Sequence, residues 1–166
     1  MRIVHDNFIS KSDCDFIIQE YEKKGTYHSK WCDADGFTFM LEDFSENQRM
    51  LDILNKIASV TGYDIEWGEI VKRLPGTEHP KHFDIAREST IFTSVTYLND
   101  NFTGGETYII NDITFKKHVR DLSVKISPKT GRTLYFDGKR YEHGVTEVKD
   151  SHRYTLAIWY KEHESV

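Results

Sequence analysis

Residues 64–85 read DIEWGEIVKRLPGTEHPKHFDI, and the order of residue types favours two β-strands joined by a tight turn. The first half is rich in isoleucine, valine and tryptophan, which are typical of strands, and Pro75-Gly76 is a turn signal. The second half contains His82-Phe83-Asp84. Because side chains at i and i+2 of a strand share a face, His82 and Asp84 are predicted to point the same way and to be able to hold one ion. Taken alone, the triplet fits better with a partly exposed histidine beside a solvated aspartate.

The rest of the chain is also rich in β-forming residues, with turn-forming residues between short apolar runs. The predicted strands are Ile65–Leu74, Lys81–Ile85, Ile91–Leu98, Glu106–Ile110, Ile113–His118, Leu122–Ile126, Arg132–Phe136, Gly144–Val148 and Arg153–Tyr160. Many short strands at regular spacing indicate a mainly β fold, a sandwich or jelly roll.

Two helices are predicted ahead of these strands and are expected to support one face of the sheet structure. Ser12 is the predicted N-cap of the first helix, and Gly25 is predicted to end it. Ser45 and Gln48 form a predicted capping box for the second helix, which is expected to end at Gly62. The chain has no linker, repeat or shift in composition. We therefore predict a single domain over residues 1–166.

Composition and charge narrow the class of protein. The 166 residues are 38% hydrophobic and 30% charged, with a net charge of −5, an ordinary balance for a globular domain. A nucleic-acid partner normally requires a basic patch, so no nucleic-acid partner is expected. No apolar stretch approaches the length of a membrane span. Cys14 and Cys32 are too few for a disulfide scaffold, and a cytoplasmic location is predicted.

Two later residues extend the His82–Asp84 pair. His143 begins a late strand, and two histidines with one carboxylate form the facial triad that non-haem iron(II) prefers; the alternative for His143 is an ordinary turn histidine. Arg153 leads the apolar run RYTLAIWY. A guanidinium group there is suited to bidentate capture of a carboxylate, and Thr155 on the same face could donate a second hydrogen bond. The alternative for Arg153 is a surface ion pair with Glu147 or Asp150.

Taken together, these motifs resemble the signature of the iron(II)/2-oxoglutarate dioxygenases, in particular the prolyl 4-hydroxylase-like branch. The resemblance covers nearly the whole chain. The blocks that carry it are HDNFISKSDCDFII at 5–18, RLPGTEHPKHFD at 73–84, TSVTYLND at 93–100, GGET at 104–107, SPKTGRTLYFD at 127–137, and the run that starts at Arg153. Leu74 departs from the pattern, since many relatives have a tyrosine immediately before the Pro-Gly turn.

The resemblance implies a fold, cofactors and residue roles. The implied fold is a double-stranded β-helix, or jelly roll, and the implied cofactors are iron(II), 2-oxoglutarate and O2, with ascorbate as an optional accessory. His82, Asp84 and His143 would be the catalytic metal ligands, and Arg153 would pair with the distal carboxylate of 2-oxoglutarate. Tyr97 matches a tyrosine that contacts the cosubstrate, although it could equally be a buried strand tyrosine. Trp159 matches a tryptophan at the pocket mouth, although a core aromatic residue fits as well.

The resemblance also suggests the substrate. A prolyl residue of a peptide or protein is the first expectation, and free proline or another small molecule is the second. The segment Asn111–Ser127 carries several basic residues and could form a rim for an acidic peptide or a solvated hairpin. Two rival classes stay open at this point: a non-catalytic jelly-roll module that binds metal or 2-oxoglutarate, and a cupin-type iron enzyme that has no use for Arg153. The oligomeric state is not predicted.

Overall fold

The structure, a computed structural model, describes residues 2–24, 29–31, 34–110 and 123–164. Its helices are α1 (Lys11–Lys23) and α2 (Gln48–Ser59), with a 3-10 turn at Leu41–Phe44. The described strands are β1 (Arg2–His5), β2 (Ser29–Trp31), β3 (Ala34–Phe39), β4 (Asp64–Arg73), β5 (His79–His82), β6 (Phe92–Tyr97), β7 (Thr103–Gly104), β8 (Thr107–Ile110), β9 (Ser123–Ile126), β10 (Thr133–Phe136), β11 (His143–Val145), β12 (Val148–Lys149) and β13 (Arg153–Lys161).

The described strands form two facing antiparallel sheets and a short pair. The larger sheet has the order β1-β10-β6-β13-β4-β3-β2, the smaller has β5-β11-β8-β9, and β12 pairs with β7. Ile109 and Ile126 of the smaller sheet pack between the layers against Leu134 and Phe136 of the larger one. This arrangement confirms the predicted mainly β jelly roll.

The two helices cover the outer face of the larger sheet, as the sequence predicts. Cys14, Ile17 and Tyr21 of α1 are fully buried in the same cluster as Leu156 and Ile158 of β13. Along β13 the alternate residues turn to the other side, toward the smaller sheet, because successive strand side chains point to opposite faces. The outer face of β13 is therefore part of the core, and its inner face is available for a site.

Both helices begin at different caps from those predicted. Ser10 caps α1, since its side chain accepts a hydrogen bond from the Asp13 amide; Ser12 lies inside the first turn instead. Asn47 caps α2 by accepting from the Met50 amide. The α2 helix already ends at Ser59. Gly25 lies outside the described residues.

Two strand predictions also differ from the structure, and a third is not tested by it. The strand predicted at Lys81–Ile85 is β5, which ends at His82 because the Asp84 amide donates to the Gly138 carbonyl instead of continuing the ladder. The strand predicted at Gly144–Val148 is divided into β11 and β12, which have different partner strands. The strand predicted at Ile113–His118 lies outside the described residues, as does most of the segment Asn111–Ser127.

Candidate active site

Two histidines face each other across neighbouring strands of the smaller sheet. His82 on β5 and His143 on β11 are register partners, and their ring centroids lie 4.4 Å apart. In each ring Nδ1 lies 2.9 Å from a backbone carbonyl two residues earlier, Pro80 and Tyr141 respectively. A carbonyl only accepts hydrogen bonds, so each Nδ1 carries the hydrogen and each Nε2 keeps its lone pair. Both rings are thereby oriented as ligands through Nε2.

Asp84 supplies a carboxylate beside both imidazole rings. Its Oδ1 lies 3.5 Å from Nε2 of His82 and 3.2 Å from Nε2 of His143. Its Oδ2 accepts a hydrogen bond of 2.8 Å from Thr93 on β6. Burial alone would raise the pKa of the Asp84 carboxyl, but the adjacent His143 and His82 rings and the hydrogen bond from Thr93 outweigh it and hold that pKa well below its usual range. Asp84 is therefore an anion at neutral pH.

The three groups fit a divalent ion of the iron type. Their ligand atoms all lie within 4.8 Å of one another, and neighbouring ligands of an octahedral ion with bonds of about 2.1 Å are about 3 Å apart. Two nitrogen donors and one carboxylate, with no thiolate, form the set associated with non-haem iron(II). The sequence predicted these residues, although Asp84 reaches the site from the loop after β5 and not from the strand.

Arg153 lies on the inner face of β13 and is 3% exposed. Its Nε donates to the Gly105 carbonyl at 2.8 Å, and one terminal nitrogen donates to Thr107 Oγ1 at 3.1 Å. Within the described part of the chain, no carboxylate lies within 4 Å of this guanidinium group. Glu147 pairs instead with Lys149, and Asp150 accepts from Thr103. The alternative of a surface ion pair is therefore wrong, and a buried cation of this kind calls for an anionic ligand.

Tyr97 and Thr155 accompany Arg153 in different ways. The guanidinium carbon lies 5.3 Å from the centre of the Tyr97 ring. The Tyr97 hydroxyl is within 2.7 Å of Thr107 Oγ1 and 2.9 Å of the Ile126 carbonyl, and it accepts from the Thr107 amide. Tyr97 thus holds the surroundings of Arg153 in place. Thr155 lines the cavity next to Arg153.

Two connected spaces open onto the His82–Asp84 pair. The inner cavity, of about 100 Å³, extends between the triad and the pocket of Arg153, Thr107 and Thr155. The outer groove, of about 630 Å³, is lined by Trp67, Trp159, Phe83, Ile85 and Glu69. Trp159 stacks on Trp67 with centroids 3.9 Å apart and lines both spaces, while its role at the pocket mouth stays a prediction.

The sequence did not single out the polar residues of the neighbouring strand β4. Glu69 and Arg73 face the inner cavity, with Arg73 directly opposite Arg153 in the register of β4 and β13. Leu74, the departure from the family pattern, is 39% exposed. His79 stacks on His82 at 4.0 Å, and burial lowers the pKa of His79 to about 3. Glu69 and Arg73 are polar residues within a strand-forming run, and the sequence alone does not show that this face of the strand lines a cavity.

Comparison with known protein families decides the class. The family model described as the 2OG-Fe(II) oxygenase superfamily matches residues 70–161, which contain all three triad residues and Arg153. The chain belongs to this superfamily. It is accordingly an iron(II)- and 2-oxoglutarate-dependent oxygenase. The non-catalytic and cupin-type alternatives are set aside, and the family predicted from the sequence is confirmed. Among curated proteins, none matches this oxygenase.

Solved structures share the fold of this oxygenase along nearly its whole length. A viral collagen prolyl hydroxylase from Paramecium bursaria Chlorella virus 1, in complex with 2-oxoglutarate, is 21% identical, with a TM-score of 0.70 over 98% of this chain and 96% of that chain. A prolyl hydroxylase from Trichoplax adhaerens, in complex with a hypoxia-inducible factor peptide fragment, is 17% identical, with a TM-score of 0.75 over 97% and 83%. HygX from Streptomyces hygroscopicus, with nickel and 2-oxoglutarate bound, is 12% identical, with a TM-score of 0.74 over 97% and 82%.

These identities establish a common fold and leave the substrate open. In the described residues, neither α1 nor α2 has the length and apolar character needed to cross a bilayer. The single domain over residues 1–166, the absence of a nucleic-acid partner and the cytoplasmic location stay predictions.

Proposed function

We propose that this oxygenase hydroxylates an unactivated C–H bond of a prolyl residue in a peptide or protein. In this proposal His82, Asp84 and His143 hold iron(II), and Arg153 holds the distal carboxylate of 2-oxoglutarate. The observation that carries the proposal is the convergence of the three donors on one point beside a buried arginine that has no carboxylate partner in the described residues.

Each residue has a defined task in this scheme. The two Nδ1 hydrogen bonds fix the imidazole rings, and Thr93 fixes the carboxylate of Asp84, so three neighbouring coordination positions are preorganised. Arg153 is held by Gly105 and Thr107, which leaves the remaining guanidinium hydrogens for a carboxylate. Thr155 could donate a second hydrogen bond to the same carboxylate.

When bound, iron(II) would supply the oxidation chemistry: the substrate C–H group, 2-oxoglutarate and dioxygen would be converted to the hydroxylated product, succinate and carbon dioxide. The protein contributes binding, orientation and exclusion of water. The reaction does not require a side-chain general base, and the proposed scheme assigns none.

The outer groove supports a peptide substrate. Its walls are largely apolar, and Phe83 and Ile85 on its rim are 43% and 79% exposed. Such exposed apolar groups beside a site often mark a binding surface. The neighbour from Trichoplax adhaerens was solved with a peptide fragment in place, and it shares this fold. Free proline or another small molecule is the alternative substrate.

An anaerobic titration tests the metal and cosubstrate roles. Iron(II) added with 2-oxoglutarate should produce the visible charge-transfer band of the chelate, and the Asp84→Ala variant should show none because a ligand is lost. His163→Ala, at an exposed histidine paired with Asp64, is the matched control and should behave as the wild type. Absence of the band in the wild-type protein, together with no succinate in air, would contradict the proposal.

Mass spectrometry then tests the substrate. Proline-containing peptides and free amino acids incubated with iron(II), 2-oxoglutarate and air should yield a peptide product heavier by one oxygen atom. Oxygen added to free proline alone would favour the small-molecule alternative.

A further inference from the structure

Glu69 stands out among the cavity residues because it is a buried residue whose carboxyl group accepts no hydrogen bond within the described part of the chain. It lies in the middle of β4, is 9% exposed, and lines both the inner cavity and the outer groove. In the described part of the chain, no donor is hydrogen-bonded to its oxygens and no cationic group lies within 4 Å of them. Glu66, two residues earlier, shows the contrast: it accepts from Ser89 and Thr90.

The fold makes room for this carboxyl group at a cost in stability. Burial raises the pKa of Glu69 to about 6, while the charge of Arg73 on the same strand opposes that rise. A buried carboxyl group that lacks partners is unfavourable. On the neighbouring strand β3, any side chain at Gly36 would collide with Glu69 Oε1. A carboxyl group that is held beside Gly36 and forms no hydrogen bond or ion pair within the described residues indicates a ligand.

The chemistry of the surroundings defines the complementary group. The carboxylate is an acceptor only, so its partner must donate hydrogen bonds, and a positive charge strengthens each bond. The apolar wall formed by Trp67 and Trp159 lowers the local dielectric and increases the attraction between opposite charges. The nitrogen of an internal prolyl residue is a neutral amide without hydrogen and cannot satisfy Glu69.

We infer that Glu69 binds a cationic nitrogen of the substrate, so that this oxygenase prefers substrates with a positively charged group close to the carbon that is hydroxylated. The inference rests on the proposed function, because it assumes iron at His82, Asp84 and His143. The cationic nitrogen has two sources: the secondary amine of free proline or of an N-terminal prolyl residue, and a basic side chain beside an internal prolyl residue of a peptide.

A panel of four substrates separates these sources. It consists of free proline, a peptide with N-terminal proline, a peptide with internal proline beside lysine, and the same peptide with norleucine in place of lysine. Binding to the anaerobic protein with iron(II) and 2-oxoglutarate is followed by the change in the visible band. Turnover in air is followed by oxygen incorporation, as kcat and KM. We expect at least one cationic member to exceed the norleucine peptide by about 10- to 100-fold in kcat/KM.

Three variants test whether this preference depends on Glu69. Glu69→Gln keeps the shape and removes the charge, so it should abolish the preference mainly through a higher KM, while the 2-oxoglutarate band forms as in the wild type. Gly36→Ala retains the glutamate but displaces its carboxyl group and should reduce the preference. Glu147→Gln, at an exposed glutamate outside both spaces, is the matched control.

The outcomes distinguish the two ideas. Failure of the wild-type band overturns the proposed function. A normal band without preference for a cationic member, including no binding of any member, overturns the role of Glu69 alone. An unchanged preference in Glu69→Gln does the same.

Discussion

The two faces of β4 and β13 are made by the same strands and have opposite character. The outer face carries Ile70, Leu156 and Ile158, all fully buried under the helices. The inner face carries Glu69, Arg73, Arg153 and Thr155, which are equally secluded from solvent but polar or charged. Burial of apolar groups stabilises the fold, whereas burial of charged groups carries a desolvation cost. The outer face therefore supports the fold and the inner face is reserved for ligands.

The largest effect on stability is expected at the outer face. Ile158→Ala removes a fully buried side chain at the centre of β13 and should lower the free energy of unfolding by about 2–5 kcal/mol. Urea denaturation measures this loss. The folded fraction should still bind iron(II) with unchanged affinity, and weaker iron binding without a loss of stability would contradict the division between the faces.

A smaller effect, on ligand binding and not on the free energy of unfolding, is expected at Arg153. Arg153→Leu removes the carboxylate anchor and should weaken 2-oxoglutarate binding by about 100-fold. The ligand-free protein should lose little stability, because removal of a buried cation offsets the loss of its hydrogen bonds to Gly105 and Thr107. The anaerobic titration and a thermal melt measure the two quantities, with the exposed Arg49→Leu as control. A marked loss of stability with unchanged 2-oxoglutarate affinity would assign Arg153 to the fold.

The smallest expected effect is the change in the free energy of unfolding caused by Glu69→Gln, and this change depends on pH. The folded-state pKa is about 6 against an ordinary value of 4.5, so the native protein binds this proton more tightly than the unfolded chain. The resulting stabilisation is present below pH 4.5 and is lost as pH rises through 6. Glu69→Gln should therefore be more stable than the wild type by about 1–2 kcal/mol at pH 7.5. Melts at pH 7.5 and pH 4 measure the difference, which should vanish at the lower pH; a Gln variant less stable at pH 7.5 would contradict this.

The sequence was most informative where the type of residue is itself the signal. His82, Asp84, His143 and Arg153 were all predicted, and the structure brings the first three together and buries the fourth. The helix caps were less predictable, because Ser10 and Ser12, or Ser45 and Asn47, are chemically equivalent candidates until the helix start is fixed by packing. Glu69 and Arg73 were missed for another reason: nothing local shows which face of a strand turns toward the cavity.

Asp84 is tied to the larger sheet through Thr93, while His82 and His143 belong to the smaller sheet. An ion held by all three residues would link the two sheets. The gap between the layers at that end would then have a fixed width, set by short rigid side chains and their hydrogen bonds. The room left for a substrate at that end would then depend on this fixed spacing.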